Sequence, residues 1–264
     1  MEMGALVQLR EAIVRYFLPR RHSTFLVALV IAMVVRVMLG DAAIGIVAFN
    51  VALMVLMVVS LYTIDADELI GEREAVLAQR RRRSIIGWTL AIVAISGRLA
   101  LSVAPTRRLS VIDSICMLLF LSFVTWDQLR SVVKQKEVTS ETICMSISVY
   151  LLIAFTSGIV YGVIFQLQPS AFSFGSAPAP TPARPGDLQH VLPVLVYFSL
   201  TTLATVGYGD ITPVSLPARY FAVSEAILGQ FYLAILVARL VGIYMTRSLN
   251  SDAGNQNHSS GAPD

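Results

Sequence analysis

The chain has 264 residues, of which 56% are hydrophobic and only 14% charged. A soluble domain carries about 25% charged residues, and here the apolar residues fall in long runs, so the composition points to an integral membrane protein and away from a large soluble core. The formal net charge of +3 does not call for a nucleic-acid partner, because the basic residues cluster at the ends of apolar segments, where membrane topology accounts for them.

Residues 1–23 are polar and basic, with Arg10, Arg15, Arg20 and Arg21. This lead-in is too long for a cleaved signal peptide ending near Gly40 to be the preferred reading. Apolar segments follow at 24–40, 42–63, 84–104, 109–126, 142–166 and 217–246. Each approaches the ~20 helical residues that cross a hydrocarbon core; the first and fourth are marginal and contain charges. The expected fold is therefore an all-α membrane protein with six transmembrane helices. The basic N-terminus, the loop 64–83, the loop 127–141 with Arg130, Lys134 and Lys136, and the tail from Arg247 alternate correctly if all are cytoplasmic. Arg107 and Arg108 then lie outside, against the rule. The run Arg80, Arg81, Arg82 and Arg83 reads as a topology determinant; the sharper alternative is a site for anionic lipid.

Between the fifth and sixth segments the character changes. Residues 167–189 are rich in Pro, Ala and Ser, as expected of an extended outer loop. The stretch 190–204 is apolar but too short to span, which fits a re-entrant helix. It leads into Thr205-Val206-Gly207-Tyr208-Gly209-Asp210. Non-helical backbone at membrane depth is tolerated only when buried in protein or lining a water-filled path. A cation entering a narrow pore must shed its water, and rings of backbone carbonyls can replace that shell. Aiming successive carbonyls at one axis requires alternating positive φ, which glycine supplies at Gly207 and Gly209. Val206 and Tyr208 are expected to point away from the axis and wedge against the pore helix. Asp210 sits where it can anchor the outer mouth. One copy of the motif per chain implies an oligomer, with four identical subunits the natural closed ring.

This string, preceded by Thr201 and Thr202 and followed by Thr212-Pro213, resembles the signature sequence of the potassium channel family. The resemblance covers about 142–246: outer helix, pore helix, filter and inner helix. It implies that Thr205, Val206, Gly207, Tyr208 and Gly209 are ligands of potassium ions, that Thr201, Thr202 and Asp210 support the filter, and that Gly229 is the hinge of the inner helix. It implies no cofactor, only the permeant ion. Where some members of the family carry a glutamate in the pore helix, this chain has Thr201. By resemblance, too, the compact chain suits a prokaryotic plasma membrane.

The spacing of Gly229, Leu233, Val237 and Val241 keeps them near one helical face, which reads as the inner path or its closure; packing against the fifth helix is the alternative. Glu225 should lie near filter depth, hydrogen-bonded or protonated, with a partner in the pore helix. Arg239 is expected to snorkel to the cytoplasmic surface. In the first four segments Arg36, Arg98 and Asp113 are ionisable, and Arg98 with Asp113 reads as a structural ion pair. The fourth segment carries no base between Arg108 and Arg130, so this half resembles a voltage sensor in architecture only, and weak or absent voltage gating is expected. The chain divides into a cytoplasmic N-terminus (1–23), a four-helix membrane unit (24–126), a cytoplasmic linker (127–141), a pore unit (142–246) and a disordered cytoplasmic tail (247–264). Cys116 and Cys144 lie in apolar segments and read as inert thiols, and His22, His190 and His258 are scattered without metal-ligand spacing. No nucleophile–base constellation or phosphate-binding loop points to an enzyme. A poorly selective cation channel, a non-conducting partner subunit and a secondary transporter, the last without the expected internal repeat, are the competing readings.

Overall fold

Backbone polar groups in hydrocarbon must be satisfied within the chain, and a helix does this locally. The computed structural model describes residues 21–39, 43–68, 74–104, 106–135, 139–175 and 191–259, and these are mostly helical. The helices are α1 (Arg21–Leu39), α2 (Ala43–Glu68), α3 (Glu74–Val103), α4 (Arg107–Lys134), α5 (Ser140–Leu167), α6 (Leu192–Leu203) and α7 (Leu216–Ser259). Two two-residue strands, β1 (Phe172–Ser173) and β2 (Thr212–Pro213), pair antiparallel with Phe172 opposite Pro213 and Ser173 opposite Thr212.

Among the described residues, four stretches are long and apolar enough to cross a membrane: Arg82–Leu101, Arg107–Lys134, Ser140–Leu167 and Leu216–Gly242. This is a membrane protein. Helices α1 and α2 run for 19 and 26 residues, and their described apolar stretches are His22–Val35 and Val47–Leu61.

Several boundaries differ from the sequence reading. Residues 80–83 are not loop but the second and third turns of α3, and the linker expected over 127–141 is largely helix, since α4 runs to Lys134 and α5 starts at Ser140. Charged side chains at a helix end reach water while the backbone stays helical, so a drop in hydropathy does not mark the end. Thr139 starts α5 through a capping box with Thr142. The tail is likewise not without structure, because α7 continues to Ser259; no proline interrupts it after Pro217. Residues 1–20, 176–190 (with His190) and 260–264 lie outside the described residues, as do the side chains of Arg36, Arg80, Arg81 and His258.

One buried cluster joins the four-helix unit to the pore unit of the same chain. It includes Phe25 and Leu29 of α1, Leu53 of α2, Phe120 of α4, Phe155 of α5 and Val196 of α6. A second cluster packs Tyr161, Phe172 and Phe198 edge to face. Gly158 lets α5 and α6 touch: a Cβ there would lie 2.7 Å from Val196 Cγ2. Polar contacts fasten the ends. Glu141 of α5 accepts the backbone N–H groups of His22 (3.0 Å) and Ser23 (3.2 Å), capping the start of α1 from 118 residues away. Arg107 donates to the Gln166 carbonyl at 2.6 Å, and the Gln166 amide reaches Ser110 and Ser114 at 3.3 Å. At the other end of α4, Arg239 of α7 donates to the carbonyls of Val132, Val133 and Gln135. Arg239, expected to snorkel, thus has partners at the end of α4. The last carbonyls of α4 have no partner inside their helix, and the guanidinium satisfies them.

Candidate ion filter

The filter hangs from the last turn of α6. Pro193 stands in the first turn of that helix, where no N–H is needed. At its other end the carbonyls left over by the helix accept the next amides: Thr205 N–H bonds Thr202 O at 3.0 Å, and Thr201 O takes both Val206 N–H (2.8 Å) and Gly207 N–H (3.1 Å). Thr201 and Thr202 thus act through their backbones. The Thr201 hydroxyl stays within the helix, donating to Phe198 O at 2.9 Å.

Beyond that anchor the backbone alternates. Thr205 (φ 56°), Gly207 (φ 52°) and Gly209 (φ 79°) are left-handed, while Val206 and Tyr208 are not. A β-branched residue in that region is rare; Thr205 is held there by the Thr202 carbonyl and by Gln230 Nε2, 3.4 Å from its Oγ1. A Cβ on Gly207 or Gly209 would meet nothing within 4 Å, so these glycines serve conformation and not space. Among the described residues the carbonyls of 205–209 accept no hydrogen bond, which leaves a row of acceptors at the end of an apolar helix.

Asp210 follows at the far end of this segment. Its Oδ2 accepts the Tyr197 hydroxyl at 2.8 Å and its Oδ1 the Ile211 N–H at 3.0 Å. The hydrogen bond to Asp210 raises the Tyr197 phenol above its ordinary pKa. Val214 N–H bonds Ala171 O at 2.7 Å beside the β1–β2 pair, tying the segment after Asp210 to the stretch that follows α5. The side chains of Val206 and Tyr208 are 51% and 71% exposed. Tyr208 lies near Tyr197 of α6, while α6 packs its apolar surface on α5 and its neighbours.

Behind α6, Glu225 is buried and meets the hydroxyls of Tyr161 and Ser199, and Ser199 Oγ also lies 2.6 Å from Ala154 O. One turn further along α7, Gly229 lies against the end of α6; a Cβ there would sit 2.5 Å from Leu203 O. Gly229 is therefore a contact point, and α7 stays helical through it. Leu233, Val237 and Val241 are exposed, so the four residues do not share one environment. Sequence reasoning passed over Tyr161, Tyr197, Ser199 and Gln230. A tyrosine or glutamine inside an apolar run is the signal that marks them, since such a group needs a partner.

In the four-helix unit Arg98 Nε lies 3.6 Å from Asp113 Oδ2, and Arg98 also reaches the Met117 sulfur at 3.5 Å. Arg83 pairs with Asp127 at 3.7 Å, and Arg82 is exposed. Cys116 and Cys144 are free thiols.

Residues 189–246 match the family model described as "Ion channel". The chain is 35% identical over 81 residues to Protein LctB of Geobacillus stearothermophilus, covering 31% of this chain and 59% of that protein. It is 40% identical over 62 residues to the voltage-gated potassium channel Kch of Escherichia coli (strain K12), covering 24% of this chain and 15% of the relative. It is 38% identical over 52 residues to two pore potassium channel c of Oryza sativa subsp. japonica, covering 20% and 11%. Over residues 189–246 the chain is similar to this ion channel family, and parts of it are similar to potassium channels. The chain spans less than two thirds of the length of each of these relatives. No solved structure matches the chain.

Proposed function

We propose that this chain is one subunit of a homotetrameric, potassium-selective channel with weak or no voltage gating. The observation that carries the reading is the alternating left-handed backbone at Thr205, Gly207 and Gly209, in a segment whose carbonyls take no internal hydrogen bond. Four such ribbons around an axis supply stacked oxygen rings from the carbonyls of Thr205, Val206, Gly207 and Tyr208 and the Thr205 hydroxyl, with Gly209 completing the turn. The C-terminal end of α6 brings a partial negative charge toward the ion, and Asp210 concentrates cations at the mouth.

In this reading α6 is re-entrant and α1–α5 and α7 make six crossings, with both termini on the cytoplasmic side of the plasma membrane. Leu233, Val237 and Val241 form the inner path, where an apolar ring closes by dewetting. Voltage contributes little: a charge crossing the full field is worth ~2.3 kcal/mol per 100 mV, yet Arg107 is tied to the Gln166 carbonyl and Arg98 to Asp113. Exposed Arg82 makes the 80–83 run a candidate for anionic lipid, with Arg83 already engaged by Asp127.

The test is potassium flux into liposomes holding the purified protein, against sodium and against Tyr208→Ala. A large potassium preference that the variant loses supports the filter. Equal potassium and sodium flux removes the selectivity claim, and no flux at any voltage, pH or lipid composition removes the channel itself.

A further inference from the structure

The carboxyl of Glu225 is buried in α7 behind the filter, and among the described residues no cationic side chain pairs with it. Its polar neighbours are the hydroxyls of Tyr161 and Ser157 from α5 and Ser199 from α6, with the Tyr150 phenol of α5 the other titratable group facing it. An ionised carboxylate at this depth without a counter-ion is strongly disfavoured.

Hydrogen counting leads to the same place. Ser199 has one hydroxyl hydrogen and two acceptors, the Ala154 carbonyl at 2.6 Å and Glu225 Oε1. A carbonyl can only accept. If Ser199 donates to Ala154, its contact with Glu225 needs a hydrogen from the carboxyl. The chain then runs Tyr161 O–H to Oε2, Oε1–H to Ser199 Oγ, and Ser199 O–H to Ala154 O, with the Ser157 hydroxyl a further donor to the carboxyl.

Position gives this chain a role. Glu225 and Gly229 are one turn apart on α7, and their partners Ser199 and Leu203 are one turn apart on α6. The two contacts are successive rungs fixing α6 against α7. Thr201 and Thr202, which hold the filter amides, lie between the rungs on α6. We propose that Glu225 is held as a neutral carboxylic acid and serves as a positioning residue, keeping the pore helix in register so that the filter carbonyls stay aligned. This rests on the filter reading above.

The test uses the full chain in liposomes as wild type, Glu225→Gln, Glu225→Ala and Ser199→Ala. Infrared spectra of wild type should contain a carboxylic-acid carbonyl band that is missing from Glu225→Gln. If Glu225→Gln removes carboxylate bands instead, the neutral acid is overturned. Glutamine keeps one donor and one acceptor, so its potassium-to-sodium flux ratio should match wild type. Glu225→Ala and Ser199→Ala should lower that ratio about three- to tenfold, the effect of one lost hydrogen-bonded rung. Ionising the acid adds a charge and removes the donated hydrogen, so the wild-type ratio should fall as pH rises. It should stay flat in Glu225→Gln, which retains Tyr161 and Tyr150. Ser199→Ala serves if Glu225→Ala fails to assemble. An assembled variant of either kind with the wild-type ratio overturns the positioning role. A wild type without potassium preference overturns the filter reading and the positioning role with it, while the infrared band still decides the proton.

Discussion

At Gly207 and Gly229 the same atom is missing for opposite reasons, and substitution separates them. Gly207 is left-handed in open space, so alanine there meets no neighbour but adopts a backbone that costs L-residues about 1–2 kcal/mol. Gly207→Ala should therefore assemble, with a small fall in thermal midpoint, and lose most of its potassium preference in the flux assay. Gly229→Ala places a methyl 2.5 Å from Leu203 O and should lose about 1–3 kcal/mol of stability through overpacking. Gly242 supplies the control, because a Cβ there meets nothing within 4 Å, and Gly242→Ala should gain up to about 1 kcal/mol of helix propensity. Thermal unfolding in detergent checks all three; equal midpoints for Gly229→Ala and Gly242→Ala would overturn the contact reading of Gly229. The left-handed glycines of the filter were legible in the sequence because the motif is local. The contact at Gly229 was not, since it depends on where a carbonyl 26 residues away comes to rest.

Among the helices, α4 is fastened at both ends, by Arg107 and Gln166 on one side and by Arg239 on the other. A helix tied this way resists sliding along its axis, which is the motion a voltage sensor needs. Open probability should therefore stay nearly constant across imposed potentials, where even one charge crossing the full field would contribute ~2.3 kcal/mol per 100 mV. A steep voltage dependence in single-channel recordings would refute the bolted helix. The Arg239 tie has its own consequence. Hydrogen bonds from a charged donor contribute about 1.5–3 kcal/mol each, so Arg239→Gln should lower the thermal midpoint and speed hydrogen exchange around Val132 and Val133; unchanged exchange there would contradict it. The apolar runs located α3, α4, α5 and α7 well. Their ends were misplaced because a fall in hydropathy at residues 80–83 or 127–134 reports where water begins and not where the helix stops. The ties of Arg107, which read as an exception to the topology rule, and of Arg239, which read as snorkelling, escaped the sequence for a related reason: their partners lie 59 and more than 100 residues away, beyond any local pattern.

For the molecule as a whole, the decisive surface is the one the chain does not cover. Tyr208, Val206, Leu233 and Val237 are all exposed in the single chain, although a large apolar face is normally closed by a partner. On the proposed reading, the row of carbonyls over 205–209 is likewise incomplete until several ribbons face one another. Closed symmetry makes four copies the natural arrangement, so the protein in mild detergent should have the mass of four 28.7 kDa chains. If the ion ligands come from four chains at once, the ion binds the assembly and not the separated subunits. Any species that binds one state alone stabilises it by RT ln(1 + [L]/Kd), about 2.7 kcal/mol at a hundredfold excess over Kd. Heating the assembly in potassium, and again in sodium at equal ionic strength, should therefore give a higher dissociation temperature in potassium. The difference should shrink in Gly207→Ala, whose ligands are displaced, and persist in Gly242→Ala, whose filter is untouched. Equal temperatures in the two salts would mean that the ribbons do not form a shared potassium site, whatever their backbone resembles in one chain.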